Sequence, residues 1–124
     1  MGLAEQIVAA AGKPRVEKVH VPEWNMDIHV RELLAGERDK FEGQQALNRG
    51  SAKLYQNFRA RFLVLTVCDE SGVRAFQDNQ IDTIASLPVA GVDRLFDAAC
   101  KLNRIGPSDV EDLEKNSDKT PSAE

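Results

Sequence analysis

AKLYQNFRARFLVLTVCD, residues Ala52 to Asp69, decides how the rest of the chain is arranged. Leu54, Phe58, Phe62 and Leu65 recur at steps of three and four, the period of an α-helix. Tyr55, Leu63, Val67 and Cys68 widen that stripe around much of the circumference. A stripe this wide predicts a helix covered on several sides, so the neighbouring segments are read as its packing partners. Ser51 stands where such a helix needs an N-cap.

Downstream, Asp69-Glu70-Ser71-Gly72 closes the helix, with Gly72 suited to a positive φ. Val73 to Phe76 reads as an extended link. Asp78 then caps a helix from Asn79 to about Ser86, with Ile81 and Ile84 facing inward. Pro88 fits the first turn of the next helix, which runs to about Asn103. Val89, Val92, Leu95, Phe96, Ala99 and Leu102 line one side of it, the natural partner for the central helix. Gly106-Pro107 breaks the chain. Ser108-Asp109-Val110-Glu111 has capping-box spacing, which predicts a short acidic helix to about Lys115, followed by a disordered tail.

Upstream, Leu33 to Leu47 predicts a helix with Leu33, Leu34, Phe41 and Leu47 on its apolar side. Gly43 would soften or break its middle. Val16 to Val30 changes period. Val19 and Val21 alternate with Lys18 and His20, and Ile28 and Val30 alternate with Asp27 and His29, the pattern of half-buried strands. Pro22-Glu23-Trp24-Asn25 supplies the turn. A reversal between Trp24 and Asn25 sets Val21 opposite Ile28, Val19 opposite Val30 and His20 opposite His29. A two-stranded hairpin is barely stable alone, so it must lean on the helices or join another sheet. Pro22, Trp24 and Met26 gather at its tip. Either they form an apolar anchor for a partner or Trp24 folds back onto the body. Leu3 to Ala11 predicts a short helix with Leu3, Ile7, Val8 and Ala11 along one side. A helix so short must dock to persist, on its own domain or on a neighbouring subunit. The fold expected is thus mainly α, a small helical domain with one N-terminal β-hairpin. Residues 1–12 form a helical arm, 13–105 the core domain with its hairpin at 16–30, and 106–124 the acidic end.

Charge narrows the function. From Gly106 onward six acidic residues face two lysines, a balance of −4 that is the whole net charge of the 124-residue chain. The neutral remainder is a poor nucleic-acid binder, since phosphate recognition needs surplus Lys and Arg on one face. Arg59 and Arg61 point to different sides of the central helix and make no stripe. No apolar run reaches the length of a membrane span, and LAEQIVAAAG, short and lacking a basic leader, reads as no signal peptide. Cys68 and Cys100 fall inside helical patterns and read as reduced core residues. His20 and His29, the only histidines, lack the third and fourth ligands a zinc site needs. The chain has no P-loop, dinucleotide turn, HExxH or GxSxG motif. These features point to a protein without catalytic function, cofactor or metal.

Three stretches, taken in order, resemble the tail assembly chaperones of long-tailed bacteriophages and prophages. They are VHVPEWNMDIHVRELLAGERDKFE (Val19 to Glu42), CDESGVRAFQDNQIDTIASLP (Cys68 to Pro88), and VDRLFDAACKLNRI with DVEDLEKN (Val92 to Asn116). The turn after Trp24 is Asn25-Met26 where the family is often Gly-rich, and Leu102-Asn103-Arg104-Ile105 stands where LNGL is expected. The resemblance implies a non-enzymatic assembly factor of the host cytoplasm. Such a factor coats the tape measure protein, keeps it soluble and helps bring tail tube protein subunits to it. It also implies a homo-oligomer absent from the finished virion, in some members made in a longer, frameshifted form. The arm and hairpin are the expected self-association elements. Pro22, Trp24 and Met26 are the expected protein-binding patch. Two other classes stay open on the sequence. One is a structural virion protein, such as a head–tail connector or minor tail component. The other is a small regulatory nucleic-acid binder.

Overall fold

The computed structural model describes residues 2–47 and 57–105. Five helices and one small sheet follow in the order α1 (Leu3–Ala11), β1 (Val16–Val21), β2 (Met26–Arg31), α2 (Ala35–Leu47), α3 (Phe58–Thr66), β3 (Val67–Cys68), α4 (Ile81–Ala85) and α5 (Val89–Leu102). The sheet order is β1-β2-β3, and both pairings are antiparallel. The fold class is the one the sequence implies, with a third strand added to the hairpin.

That third strand corrects the reading of the central stretch. Its described part is helical only to Thr66; Val67 and Cys68 then pair with Val30 and His29. The run Phe62 to Cys68 is apolar at nearly every position, so periodicity cannot locate the switch. The Val67 and Cys68 side chains are buried, and the backbone pairing with β2 and Arg74 makes this stretch a strand. The predicted start of this helix, near Ser51, lies outside the described residues.

The hairpin register also differs from expectation. Val19 faces Ile28 and Val21 faces Met26, so the reversal is centred between Glu23 and Trp24, one residue earlier. Pro22–Trp24 form a 3-10 turn that Asn25 closes in the left-handed region, at φ 51°. Asn tolerates that region better than most residues. The register shift is two residues, an even number, so Val19, Val21, Ile28 and Val30 keep one face. His20 now lies opposite Asp27 instead of His29, and its Nδ1 is 2.8 Å from Asp27 Oδ1.

The core lies between the sheet and the helices. Val21 and Val30 are fully buried from the sheet side. From the helices come Phe41, Phe62, Leu63, Val64, Ile84, Val92, Leu95 and Ala99. Four phenylalanines close a ring at the centre: Phe41 touches Phe58 and Phe62, and Phe96 touches the same two, with centroids 5.5 to 5.8 Å apart and tilted or edge-on rings. The pairing of α5 with the central helix is therefore as expected. Val89 is not part of it; directly after Pro88 at the first position of the helix, it is 60 % exposed. Helix α2 runs unbroken through Gly43, where an added Cβ would meet open space.

Two polar devices fasten α2. Arg31 is buried, and its Nε donates to the Leu65 carbonyl while Nη2 reaches Glu37 Oε2 at 2.7 Å. Glu37 Oε1 in turn accepts the Leu34 N–H ahead of the helix, satisfying a donor that the first turn leaves free. Buried Asn103 reaches back to the β2–α2 link: its Oδ1 accepts from Leu33 N–H, and its Nδ2 donates to the Arg31 and Ala99 carbonyls.

Helix α5 ends with Arg104 in the left-handed region, at φ 58°. The Ile105 N–H bonds back to the Cys100 carbonyl and the Arg104 N–H to that of Lys101. This is a Schellman-type stop, normally made by Gly because a Cβ is strained there. Arg104→Gly is accordingly expected to raise unfolding stability by about 0.5–1 kcal/mol. Denaturant melts of the two proteins check this, and an unchanged or lower midpoint would count against the strain.

Candidate protein-binding surface

The hairpin tip is fixed to α5 by two contacts. The Trp24 indole packs directly against Gly91: a Cβ built there would stand 2.4 Å from Trp24 Cζ2, closer than any real contact. Beside it, Arg94 Nε and Nη2 donate to the two carboxylate oxygens of Glu23 at 3.0 and 2.8 Å. That paired geometry is the strong form of an Arg–carboxylate bond. Arg94 also holds the Glu23 carboxyl below its ordinary pKa, chiefly through this hydrogen bond. Pro22, Trp24 and Met26 therefore share one turn but differ in exposure. Pro22 is exposed, Met26 is 53 % exposed, and Trp24 is half-buried against the core.

Gly91→Ala is expected to lower stability by about 1–2 kcal/mol, because overpacking outweighs the helix-propensity gain of Ala. The sole tryptophan reports it directly. Emission should shift to longer wavelength as Trp24 is pushed into water. A stabilised variant with unchanged emission would contradict the contact.

A larger apolar surface lies at the other end of the hairpin. No residue of α1 is buried. Leu3 is 72 %, Ile7 57 % and Val8 73 % exposed, and all three fall on one side of the helix. Glu5 is the only charge in its nine residues. Gly12, at φ 64°, ends the helix, and Arg15 is pinned beyond it, to Glu32 of the β2–α2 link and to the Leu102 carbonyl. Nine residues are too few for a helix to be stable alone in water.

Among the described residues no three of His, Cys, Asp and Glu cluster as metal ligands. Both thiols are buried and free, and burial pushes Cys100 up to about 11, leaving it an uncharged core group. Asp27 is held below its usual pKa, first by the hydrogen bond from His20, then by nearby Lys18 and His29. Asp69 is lowered by accepting from Ser71 and Val73 in its own turn. These shifts belong to structural turns and pairs. No described helix is long and apolar enough to cross a membrane.

Sequence reasoning did not single out Leu34, Leu47, Val73, Leu87 and Val89 as surface apolar residues. Leu34, Leu47 and Val89 sat in or near apolar stripes, where position alone does not reveal the end of the buried arc. Leu87 flanks Pro88 and Val73 follows Gly72, and in hindsight those turn residues were the available signal.

The fold thus defines a small α-helical module with a three-stranded sheet and exposed apolar surface on α1. The family model described as phage tail assembly chaperone matches residues 2–116, and the chain belongs to that family. Its structure is similar to one titled "Structure of bacteriophage HK97 tail assembly chaperone", with TM-score 0.55 and 18 % identity over 81 % of this chain and 95 % of that one. At that identity the likeness speaks for the fold. No curated protein sequence matches.

Proposed function

We propose that this tail assembly chaperone acts in the host cytoplasm by binding the tape measure protein, keeping it soluble and helping to recruit tail tube protein subunits. The observation that carries this reading is α1, a helix whose apolar residues Leu3, Ile7 and Val8 stand exposed and none of whose residues is buried. An elongated, mostly helical client offers apolar helical surface, and an amphipathic helix covers such a surface by laying its apolar side along it. The chain works as a homo-oligomer, with α1 and the hairpin as the self-association elements. Pro22, Trp24 and Met26 form a second contact patch, in which Pro22 and Met26 are exposed and Trp24 backs them from its seat on Gly91.

Co-expression with the tape measure protein of the same tail operon, followed by solubility and pull-down assays, tests the reading. The tape measure protein should stay soluble and co-purify. If it precipitates while this chain remains soluble and unbound, the proposal fails. Met26→Asp is the cleaner probe of the second patch, because Trp24→Ala would also remove packing on Gly91. Met26→Asp binding the client and self-associating as the parent does would remove the hairpin tip from the interface.

A further inference from the structure

The sheet leaves one long strand at its edge. β2 lies between β1 and β3, so β1 has a second side with which no strand among the described residues pairs. The Glu32 N–H donates to the Arg15 carbonyl, and by that bond and the register Glu17, Val19 and Val21 turn their N–H and C=O groups toward β2. Val16, Lys18 and His20 turn theirs outward. A lysine commonly guards such an edge. Here Lys18 leans the other way, its Nζ 3.9 Å from Asp27 Oδ2 on β2. His20 does the same, with Nδ1 2.8 Å from Asp27 Oδ1. Both side chains are thus drawn toward β2 and away from the outward backbone groups. Along β1 runs an open groove of about 530 Å³, with Val19 on one wall and Ala90 and Ala98 of α5 on the other.

An extended segment completes such an edge by exchanging main-chain bonds with it. The homo-oligomer proposed above supplies one, β1 of a second copy. When a strand pairs with its own copy about a two-fold axis, the residue on the axis faces itself. An axis through Glu17 or Lys18 sets two like charges opposite each other, which destabilises the pair. An axis through His20 sets two imidazoles there, and axes nearer the strand ends lose overlap. Val19 can face itself without these costs, and it is only half-buried in the single chain. We propose that β1 of two copies pairs antiparallel through this edge, centred on Val19, joining the two sheets in the order β3-β2-β1-β1-β2-β3. Lys18 of each copy then exchanges both backbone bonds with His20 of the other, and the two Val19 side chains meet beside Ala98 of the groove. The inference rests on the homo-oligomer reading and adds to it the contact and its register.

Sedimentation of the full chain and of its Lys18→Pro variant tests the pairing. Proline at position 18 removes an outward N–H that the β1–β2 ladder does not use, so circular dichroism should be unchanged. Self-association should weaken by at least about tenfold, because each copy loses a backbone bond to the other. A folded Lys18→Pro chain that associates as the parent does would overturn the proposal. Cysteine substitution gives a second, independent measurement. Val19→Cys sets two thiols in a non-hydrogen-bonded pair with Cα atoms about 4.5 Å apart, within disulfide reach. The native Cys68 and Cys100 are buried and should not compete. On mild oxidation Val19→Cys should link chain to chain at least about tenfold faster than Lys18→Cys, whose Cα atoms lie farther from the axis. Equal rates, or no linkage, would overturn the register and the pairing with it. The two readings fail differently. A parent chain that sediments as a monomer removes the homo-oligomer as well. An oligomer that Ile7→Asp disperses and Lys18→Pro leaves intact keeps the homo-oligomer and removes the β1 edge from it.

Discussion

Phe62→Ala is expected to remove about 4 kcal/mol of stability, a large share of the roughly 5–15 kcal/mol typical of a small domain. Phe62 is 1 % exposed and touches two rings, Phe41 at 5.5 Å and Phe96 at 5.8 Å. Truncation loses the transfer energy of a whole aromatic side chain, leaves a cavity, and removes two ring contacts, one tilted and one edge-on, each worth about 0.5–1.5 kcal/mol. Phe58 sits in the same ring with two contacts, but it is half-buried and can collapse toward solvent. Phe58→Ala should therefore cost only about half as much. Denaturant unfolding of the two variants decides the point, and equal losses would show that burial is not what separates them. The damage should also localise. Helix α2 has only Phe41 and Gln45 buried, so loosening the ring frees α2 first, seen as faster amide exchange there than in α5.

Much of this architecture was legible because its signals are periodic. The α5 stripe, the alternating hairpin and the bounds of α1 follow from spacing alone, and order and spacing also carried the family resemblance. The misses share a cause. Where nearly every side chain is buried, as from Phe62 to Cys68, no period remains to tell helix from strand. Where a turn uses an unusual residue, register is not fixed by the strands. Asn25 at positive φ shortens the reversal and moves His20 from His29 to Asp27. Close approaches across the fold leave no local mark, and nothing near Gly91 announces that an indole lies on it. Among the candidate binding residues, the sequence brought Pro22, Trp24 and Met26 to one turn, but their unequal exposure depends on α5, about 70 residues away in the chain.

Asn103 is the polar residue whose loss should cost most, about 3 kcal/mol for Asn103→Ala. Spacing held a clue to it. Val92, Leu95, Phe96 and Ala99 step along the buried side of α5, and Asn103 takes the next place, 5 % exposed. A polar side chain there is tolerable only if its bonds are made. Truncation takes the acceptor from the buried Leu33 N–H, at 2.7 Å, and one donor from the Arg31 carbonyl. The Ala99 carbonyl keeps the backbone N–H of residue 103 and loses little. Orphaned buried groups cost about 1–3 kcal/mol each, more than the net gain of the bonds when made. Asn103→Leu separates this from a mere cavity. Leucine fills similar space yet satisfies neither group, so it should destabilise about as much as alanine. If leucine restores most of the stability, packing and not hydrogen bonding holds the β2–α2 link to α5. If both variants lose stability alike, the link is held by those bonds. The same variants should then also release the Arg38 contact to the Asn103 carbonyl and let the start of α2 fray.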